Sequence, residues 1–176
     1  MRASDTLRRA MAGTGVRVVV GGTGRATVST GLSVLDHLVG LLAQYARFDL
    51  TLENAPGSAD AEVASAARAL GEALAPSLRA EGARGFGSFA MAAEEALAHV
   101  VIEVSDRPLV FSNVDLSGAH VGGLGTDLAA RFLRELAEGA GLTLHVRLIE
   151  GRDPQHVLEA IFKSLGIALA YACRPA

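Results

Sequence analysis

The segment Gln155-His156-Val157-Leu158-Glu159 combines residue types that could bind a metal ion. His156 and Glu159 are three positions apart, so on a helix both side chains lie on one face and can approach one cation. Converging imidazoles and carboxylates are common ligands of divalent metals. His145, at the end of a predicted strand, could join them across the short turn that follows. The alternative, in which His156 packs locally and Glu159 is solvated, fits these three residues equally well.

A near-copy of this helix occurs 95 residues earlier in the chain without the same chemistry. Residues 59–75 read ADAEVASAARALGEALA, residues 154–170 read PQHVLEAIFKSLGIALA, and both end in Leu-Gly-x-Ala-Leu-Ala. Ala61 and Ala64 stand where the second copy has His156 and Glu159. We therefore expect an internal duplication in which one half keeps a ligand cluster and the other does not.

The elements that would position these residues follow the same order in both halves. Residues 16–20 and 25–30 are β-rich and flank the glycines of 21–24, which predicts a hairpin rather than a phosphate-binding loop, because no helix follows directly. A helix, a strand and a second helix are predicted over 32–46, 48–52 and 60–79. In the second half, strands, helix, strand and helix are predicted over 100–104, 108–116, 126–138, 142–149 and from 154 onward.

This order predicts an α+β fold with an internal duplication. The two repeats would cover about residues 9–80 and 86–172 of one domain spanning 1–176. Each would be a small mixed sheet covered on one face by two helices.

Composition restricts the classes of function that remain. The formal net charge of −3, with Lys and Arg scattered along the chain, argues against a broad nucleic-acid surface. No uninterrupted apolar run approaches the roughly 20 residues that cross a bilayer, and the N-terminus resembles no secretory signal. The single cysteine, Cys173, excludes an internal disulfide and fits a reducing compartment. We expect a soluble cytoplasmic protein without nucleic-acid or membrane partners.

Residues 30–38 read TGLSVLDHL, residues 94–97 read EEAL and Asp106-Arg107-Pro108 follows further along the chain. These segments resemble the TG-(I/L)-x-F-(L/F)-DHML, DEAL and GRP motifs of the imidazoleglycerol-phosphate dehydratase family. The likeness is closest over 140–148 and 159–163, and it extends in unbroken order over roughly residues 9–170. So many blocks in the right order identify the chain as a member of this family.

The resemblance implies a carbon–oxygen lyase of histidine biosynthesis, which dehydrates imidazoleglycerol phosphate to imidazoleacetol phosphate. It also implies a duplicated α+β subunit of the ribosomal protein S5 domain 2 type. Two manganese ions would be bound by histidines and by an HHxxE motif in each half. The subunits would associate into trimers and a 24-mer, with active sites shared between subunits.

By this resemblance, four residues match expected metal ligands: His37, His145, His156 and Glu159. Arg107 matches a substrate-binding arginine. Gln155 takes the place of the first histidine of the second HHxxE motif and would be a weak ligand. Asp60, which falls on the first motif, is the other candidate weak ligand.

Other positions depart from the family pattern, and the departures fall on the chemistry rather than on the core. The first HHxxE motif falls on residues 60–64, which read DAEVA and contain no histidine. Gly13 stands at an expected catalytic glutamate, Tyr45 at a family histidine and Gly85 at a phosphate-binding arginine, and the family's Ser/Thr-Lys-Gly tail is missing. No catalytic residue is therefore assigned. We expect manganese occupancy to be partial or absent and dehydratase activity to be reduced or lost.

Three hypotheses remain open from the sequence. The first is an impaired family member that assembles with itself or with an authentic dehydratase subunit. The second is a working dehydratase with an atypical site, in which Asp60 and Glu62 contribute to a rearranged oxygen-rich centre. The third is a non-catalytic binding or assembly subunit.

Overall fold

The computed structural model describes residues 14–115, 119–122 and 124–175. The strands in these ranges are β1 (Gly15–Val19), β2 (Ala26–Ser29), β3 (Asp49–Glu53), β4 (Phe86–Ala93), β5 (Ala96–Val104), β6 (Leu109–Ser112), β7 (His120–Val121), β8 (Leu124–Gly125) and β9 (Leu142–Glu150). The helices are α1 (Ser33–Ala46), α2 (Ala59–Leu78), α3 (Thr126–Ala140) and α4 (Pro154–Cys173). The α+β class predicted from the sequence is confirmed.

The two larger sheets repeat one arrangement of strands. In the first, β3 lies between an antiparallel β1 and a parallel β2. In the second, β9 lies between an antiparallel β5 and a parallel β6, and β4 extends the sheet beside β5. The internal duplication is therefore visible in the topology as well as in the sequence.

The hairpin predicted over residues 16–30 is wrong, because β1 and β2 do not pair with each other and instead lie on opposite sides of β3. The glycine-rich segment between them passes the end of β3, where the Asp49 carboxylate accepts hydrogen bonds from the backbone N–H groups of Thr23, Gly24 and Arg25 at 2.9–3.2 Å. These bonds, with that of Thr23 first, lower the pKa of Asp49. The second predicted strand pair is likewise separated by β9, and β6 ends at Ser112.

The four described helices lie between the two sheets. α1 and α2 cover the first sheet and α3 and α4 the second, while α2 packs against α3 and α1 against α4. The shared Leu-Gly motif makes these contacts close. A Cβ atom added at Gly71 would lie 2.6 Å from the carbonyl oxygen of Leu136, and one added at Gly166 would lie 2.3 Å from that of Leu42. In each half, the glycine therefore lets the second helix approach the first helix of the other half.

By length and composition alone, α4 would qualify as a membrane-crossing helix, with a mean hydropathy of 1.3. In the folded chain 67% of that apolar window is buried inside the protein. Its apolar residues contribute to the common core with those of the other helices and the inner faces of both sheets. The hydropathy of α4 is accounted for by this burial.

Candidate metal centre between α1 and α4

The packing of α1 against α4 brings His37 next to the first turns of α4. His37 Nε2 lies 3.1 Å from Glu159 Oε1, and the Gln155 side-chain amide donates to the same oxygen at 3.2 Å. Burial raises the pKa of Glu159, but the hydrogen bonds from Gln155 and His37 outweigh it, so the net pKa is lowered. Three of the residues predicted from the sequence are thus brought together across the two halves.

The start of α1 is fixed by the residue that precedes His37. The Asp36 carboxylate accepts hydrogen bonds from the backbone N–H of Thr30 at 2.8 Å and from its hydroxyl at 2.6 Å. Thr30 is buried, and its hydroxyl also accepts a hydrogen bond from the N–H of Leu32. The aspartate of the Asp-His pair therefore anchors the loop from which α1 begins, while His37 faces the partner helix.

The N-terminus of α4 is organised by two carboxylates. Asp153 caps the helix by accepting from the N–H of Gln155 at 2.9 Å, and Pro154 occupies its first turn. Glu95, from the turn between β4 and β5, accepts from the N–H groups of Arg152 at 3.2 Å and of Asp153 at 2.8 Å. Acceptors in this position suit the positive end of the helix.

Glu95 also orients His156. Its second carboxylate oxygen lies 2.6 Å from His156 Nδ1. Hydrogen bonding from the Asp153 backbone and then from His156 lowers the pKa of Glu95 to about 2, and the same contact raises the pKa of His156. A carboxylate on one ring nitrogen commonly orients a histidine whose other nitrogen binds a metal. Sequence reasoning missed this role, although the segment Glu94-Glu95-Ala96-Leu97 resembles the family's DEAL motif.

The turn that presents Glu95 has an unusual backbone. Glu94 adopts φ of 51°, a left-handed conformation that is uncommon for a residue other than glycine. Such conformations cost on the order of 1 kcal/mol and persist where the surrounding contacts require them. Here the hydrogen bonds of Glu95 to the start of α4 supply that requirement.

His145 lies apart from this cluster. It lies in the middle of β9 rather than at a strand end, with buried Leu144 and Val146 on either side. Side chains alternate along a strand, so His145 projects from the outer face of the second sheet. It stacks on Phe111 of β6 with ring centroids 4.9 Å apart. The predicted meeting of His145 with His156 and Glu159 across a short turn does not occur within the chain.

Arg107 lies at the opposite end of the second sheet. It belongs to the turn between β5 and β6, and its carbonyl oxygen accepts from the Thr143 hydroxyl at 3.3 Å, near the start of β9. α4 begins beyond the other end of β9, roughly 23 Å away at about 3.3 Å per residue. Arg107 and the α1–α4 cluster therefore do not form one site within the chain.

The equivalent end of α2 has other contacts. Asp60 Oδ1 lies 3.4 Å from Arg131 Nη1, and Glu62 accepts from the N–H of Gly57 at 3.2 Å. Ala61 and Ala64 bring no ligand atoms. The two carboxylates thus have separate protein partners and do not form the oxygen-rich centre considered from the sequence.

Two further departures from the family pattern have structural roles. The Tyr45 ring lies 5.3 Å from the Lys163 ammonium, and Gly85 adopts a left-handed φ of 76° before β4. Next to it, the Arg84 guanidinium lies over the rings of Phe86 and Tyr171. Gly13 lies outside the described residues.

The donor set agrees only partly with a manganese site. Imidazole and carboxylate groups at the start of α4 suit a divalent cation. Across the described ranges, however, no group of three or more His, Cys, Asp or Glu side chains is arranged to hold a metal ion. The α1–α4 cluster therefore fits as part of a site that needs further donors, and the start of α2 does not fit.

A cavity of about 310 Å³ lies beside the cluster. Polar side chains from both helices and apolar side chains from α1, α4 and β7 line it: Ser33, Val34, His37, Leu38, Val121, Gly122, Gln155 and Leu158. Its size suits a small molecule.

Comparisons with known proteins agree on one family. The sequence pattern of the imidazoleglycerol-phosphate dehydratases matches residues 30–169. The chain is 36% identical over 179 aligned positions to the imidazoleglycerol-phosphate dehydratase of Desulfosudis oleivorans, covering 98% of the chain and 91% of that protein. It is 38% identical to the enzyme of that name from Lactococcus lactis, over 86% of the chain and 80% of the relative.

Solved structures give the same result. The imidazoleglycerol-phosphate dehydratase of Staphylococcus aureus superposes with a TM-score of 0.85 at 27% identity, over 93% of this chain and 94% of that one. The Pyrococcus furiosus structure superposes with a TM-score of 0.82 at 28% identity, over 94% and 92% of the two chains.

Proposed function

Because the chain belongs to the imidazoleglycerol-phosphate dehydratase family, we propose that it is a histidine-biosynthesis protein whose dehydratase activity is reduced or lost. The observation that carries this proposal is the difference between the starts of α2 and α4. The α4 end has His156 and Glu159, with His37 beside them, whereas the α2 end has Ala61 and Ala64. A reaction that needs a metal cluster from each half would lack one of them.

The retained cluster would hold manganese through His37, His156 and Glu159, with Gln155 as a weak ligand. A bound manganese ion would act as a Lewis acid toward the imidazole ring of the substrate. Glu95 holds Nδ1 of His156 and leaves Nε2 as the ring nitrogen for the metal.

Self-association would supply the missing donors. His145 projects from the outer face of the second sheet, where several large apolar side chains are exposed: Phe86, Val101, Leu109, Phe111 and Ile149. Exposed apolar surface of this kind commonly marks an interface. We propose that the chain forms trimers and larger assemblies up to a 24-mer, in which His145 and Arg107 serve the site of a neighbouring subunit. An authentic dehydratase subunit is the other candidate partner.

We also propose that the protein acts in the cytoplasm. Cys173 is a poor nucleophile, because burial raises the pKa of its thiol to about 11. An isolated thiol of this kind fits a compartment in which disulfides do not form.

The test is to measure turnover of imidazoleglycerol phosphate, bound manganese and assembly mass on the purified protein. The Desulfosudis oleivorans dehydratase, prepared in parallel, would be the positive control. We expect turnover at least about 100-fold lower than the control, which corresponds to a loss of roughly 2.7 kcal/mol of transition-state stabilisation. Turnover equal to the control with two manganese ions per subunit would refute the impaired reading and identify a working dehydratase. If a mixture of the two proteins turns over more substrate than the sum of the separate proteins, an active site shared between neighbouring subunits is supported.

A further inference from the structure

The two halves can be aligned residue by residue through their helix ends. α1 and α3 both end in a left-handed C-cap, Arg47 with φ of 58° and Gly141 with φ of 70°, which lie 94 positions apart. The same offset relates His37 to Arg131. α2 and α4 each have 20 residues and begin 95 positions apart, which relates Asp60 to Gln155 and Ala64 to Glu159.

Arg131 makes the contact that corresponds to that of His37. His37 extends from α1 to the start of α4, and Arg131 extends from α3 to the start of α2, where it meets Asp60. The two helix crossings are equivalent, because Gly166 makes the first one close and Gly71 the second. A side chain on the same turn therefore bridges the halves in both places, as an imidazole in one and a guanidinium in the other.

We infer that Arg131 is a built-in cation that closes the first-half site. A guanidinium stays protonated at every physiological pH, so it neutralises Asp60 and repels a divalent ion at the same place. The inference concerns ion binding at the start of α2, and it holds whether or not the chain turns over imidazoleglycerol phosphate.

The position of Arg131 is fixed from its other side. Its Nε donates to Glu135 at 3.1 Å, and Glu135 is in turn bonded to Arg68 of α2 at 3.0 Å. Arg68 also reaches Glu138 at 2.7 Å. The guanidinium is thus part of a charge network along the α2–α3 crossing and is held toward Asp60.

This ion pair contributes little to folding. The side chains of Arg131 and Asp60 are 37% and 61% exposed, and exposed pairs are strongly screened by solvent. Substitutions at Arg131 therefore report on ion binding rather than on loss of the fold.

The test rebuilds the α1–α4 pair in the first half. Ala64→Glu supplies the counterpart of Glu159, and Arg131→His supplies the counterpart of His37. The single variant Ala64→Glu and the double variant Ala64→Glu/Arg131→His are compared with the wild-type protein. Ala64→Glu/Arg134→His is the matched control, because Arg134 is an exposed arginine of the same helix.

Zn²⁺ and Mn²⁺ are titrated into each metal-free protein, with bound equivalents counted by equilibrium dialysis and elemental analysis. Zn²⁺ is included because such donors bind it more tightly than Mn²⁺.

We expect wild type, Ala64→Glu and the control to bind the same number of zinc equivalents, and the double variant to bind one more. If Ala64→Glu alone gains as much as the double variant, Arg131 is no barrier and the inference fails. It also fails if the double variant gains nothing over the control. Asp60→Asn tests the unmodified site independently: a loss of one metal equivalent from an otherwise wild-type chain would show that Asp60 binds metal beside Arg131. Circular dichroism and thermal unfolding confirm that each variant is folded.

Discussion

The starts of α2 and α4 have the same place in their respective halves but different side-chain chemistry. At α4, Glu95 accepts hydrogen bonds from two backbone N–H groups and contacts the His156 ring, and Glu159 contacts the His37 ring. At α2, Asp60 pairs with Arg131. The packing farther along each helix is shared, since both use the Leu-Gly motif against a helix of the other half. Packing and chemistry therefore occupy separate segments of these helices, and one can change while the other is kept.

The largest expected effect tests the shared packing. Gly166→Ala and Gly71→Ala would each place a methyl group within 3.0 Å of backbone in the facing helix, so the helices must separate. We expect each to lower the free energy of unfolding by about 1–3 kcal/mol, as overpacking does, measured by urea denaturation. Gly40→Ala is the control, because its Cβ would meet nothing within 4 Å; it should stabilise α1 by up to about 1 kcal/mol. If Gly166→Ala lowered the free energy of unfolding and Gly71→Ala left it unchanged, the two halves would not share this close helix contact.

The next effect tests the difference in chemistry. Replacing both His156 and Glu159 with Ala removes an imidazole and a carboxylate from the proposed manganese cluster. Losing a group that binds or orients a metal typically lowers affinity roughly 10–100-fold. We therefore expect the double substitution to lower manganese affinity at least about 100-fold. Asp60→Asn should change manganese affinity less than about twofold, because Asp60 is not part of the proposed cluster. Free Mn²⁺ followed by electron paramagnetic resonance measures both. Equal losses in the two variants would mean that the halves bind metal alike.

A smaller effect is expected in the pH dependence of stability, which the contact between Glu95 and His156 at the start of α4 should produce. The folded pKa of Glu95 is lowered to about 2, so its stabilisation is present above its ordinary value of 4.5 and is lost as pH falls toward 2. The folded pKa of His156 is raised, so its stabilisation is complete below 6.5 and is lost as pH rises through the folded value. The pair should therefore stabilise most between about pH 4.5 and 6.5.

The measurement is the unfolding midpoint of wild type minus that of Glu95→Gln, in metal-free buffer across pH. The difference should be largest within that window and shrink on both sides. Glu81→Gln, in the exposed turn after α2, is the control and should show no such maximum. A difference that keeps growing above pH 8 would contradict the assigned pairing.

The smallest effect is expected at the Arg131–Asp60 pair. A double-mutant cycle with Arg131→Gln and Asp60→Asn should give a coupling of about 0.2–1 kcal/mol, typical of exposed ion pairs, and it should decrease with added salt. A coupling above about 2 kcal/mol would indicate that the first half uses this pair for stability rather than only for charge compensation.

Much of the fold could be predicted because its signals are local. The stripe of leucines in α1 and the repeated Leu-Gly segment predicted the long helices to within about two residues. Strand pairing was predicted wrongly at β1 and β2, because the strand between them, β3, comes later in the chain. Neighbouring β-rich runs look alike whether they pair with each other or with a third strand.

The site was predictable only where a motif named its residues. The family pattern identifies His37, Gln155 and Glu159 as candidate ligands, and the α1–α4 packing brings their side chains together. Glu95 and Arg131 act through distant partners, 61 and 71 residues away in the chain. Glu95 lies in a segment that resembles a family motif, but the local sequence does not indicate which residues Glu95 and Arg131 contact. His145 was misplaced because it was treated as the end of a strand, although the strand predicted over 142–149 runs past it, as β9 does to Glu150.

The packing of each helix against a helix of the other half has a consequence for synthesis on the ribosome. Because α1 packs on α4, the His37–Glu159 contact joins residues 122 positions apart, which take roughly 6–24 s to translate at 5–20 residues per second. During that interval the apolar face of α1 has no native partner helix. The first half cannot complete its core before the second half emerges, so exposure to chaperones and to other nascent chains is inherent in this topology.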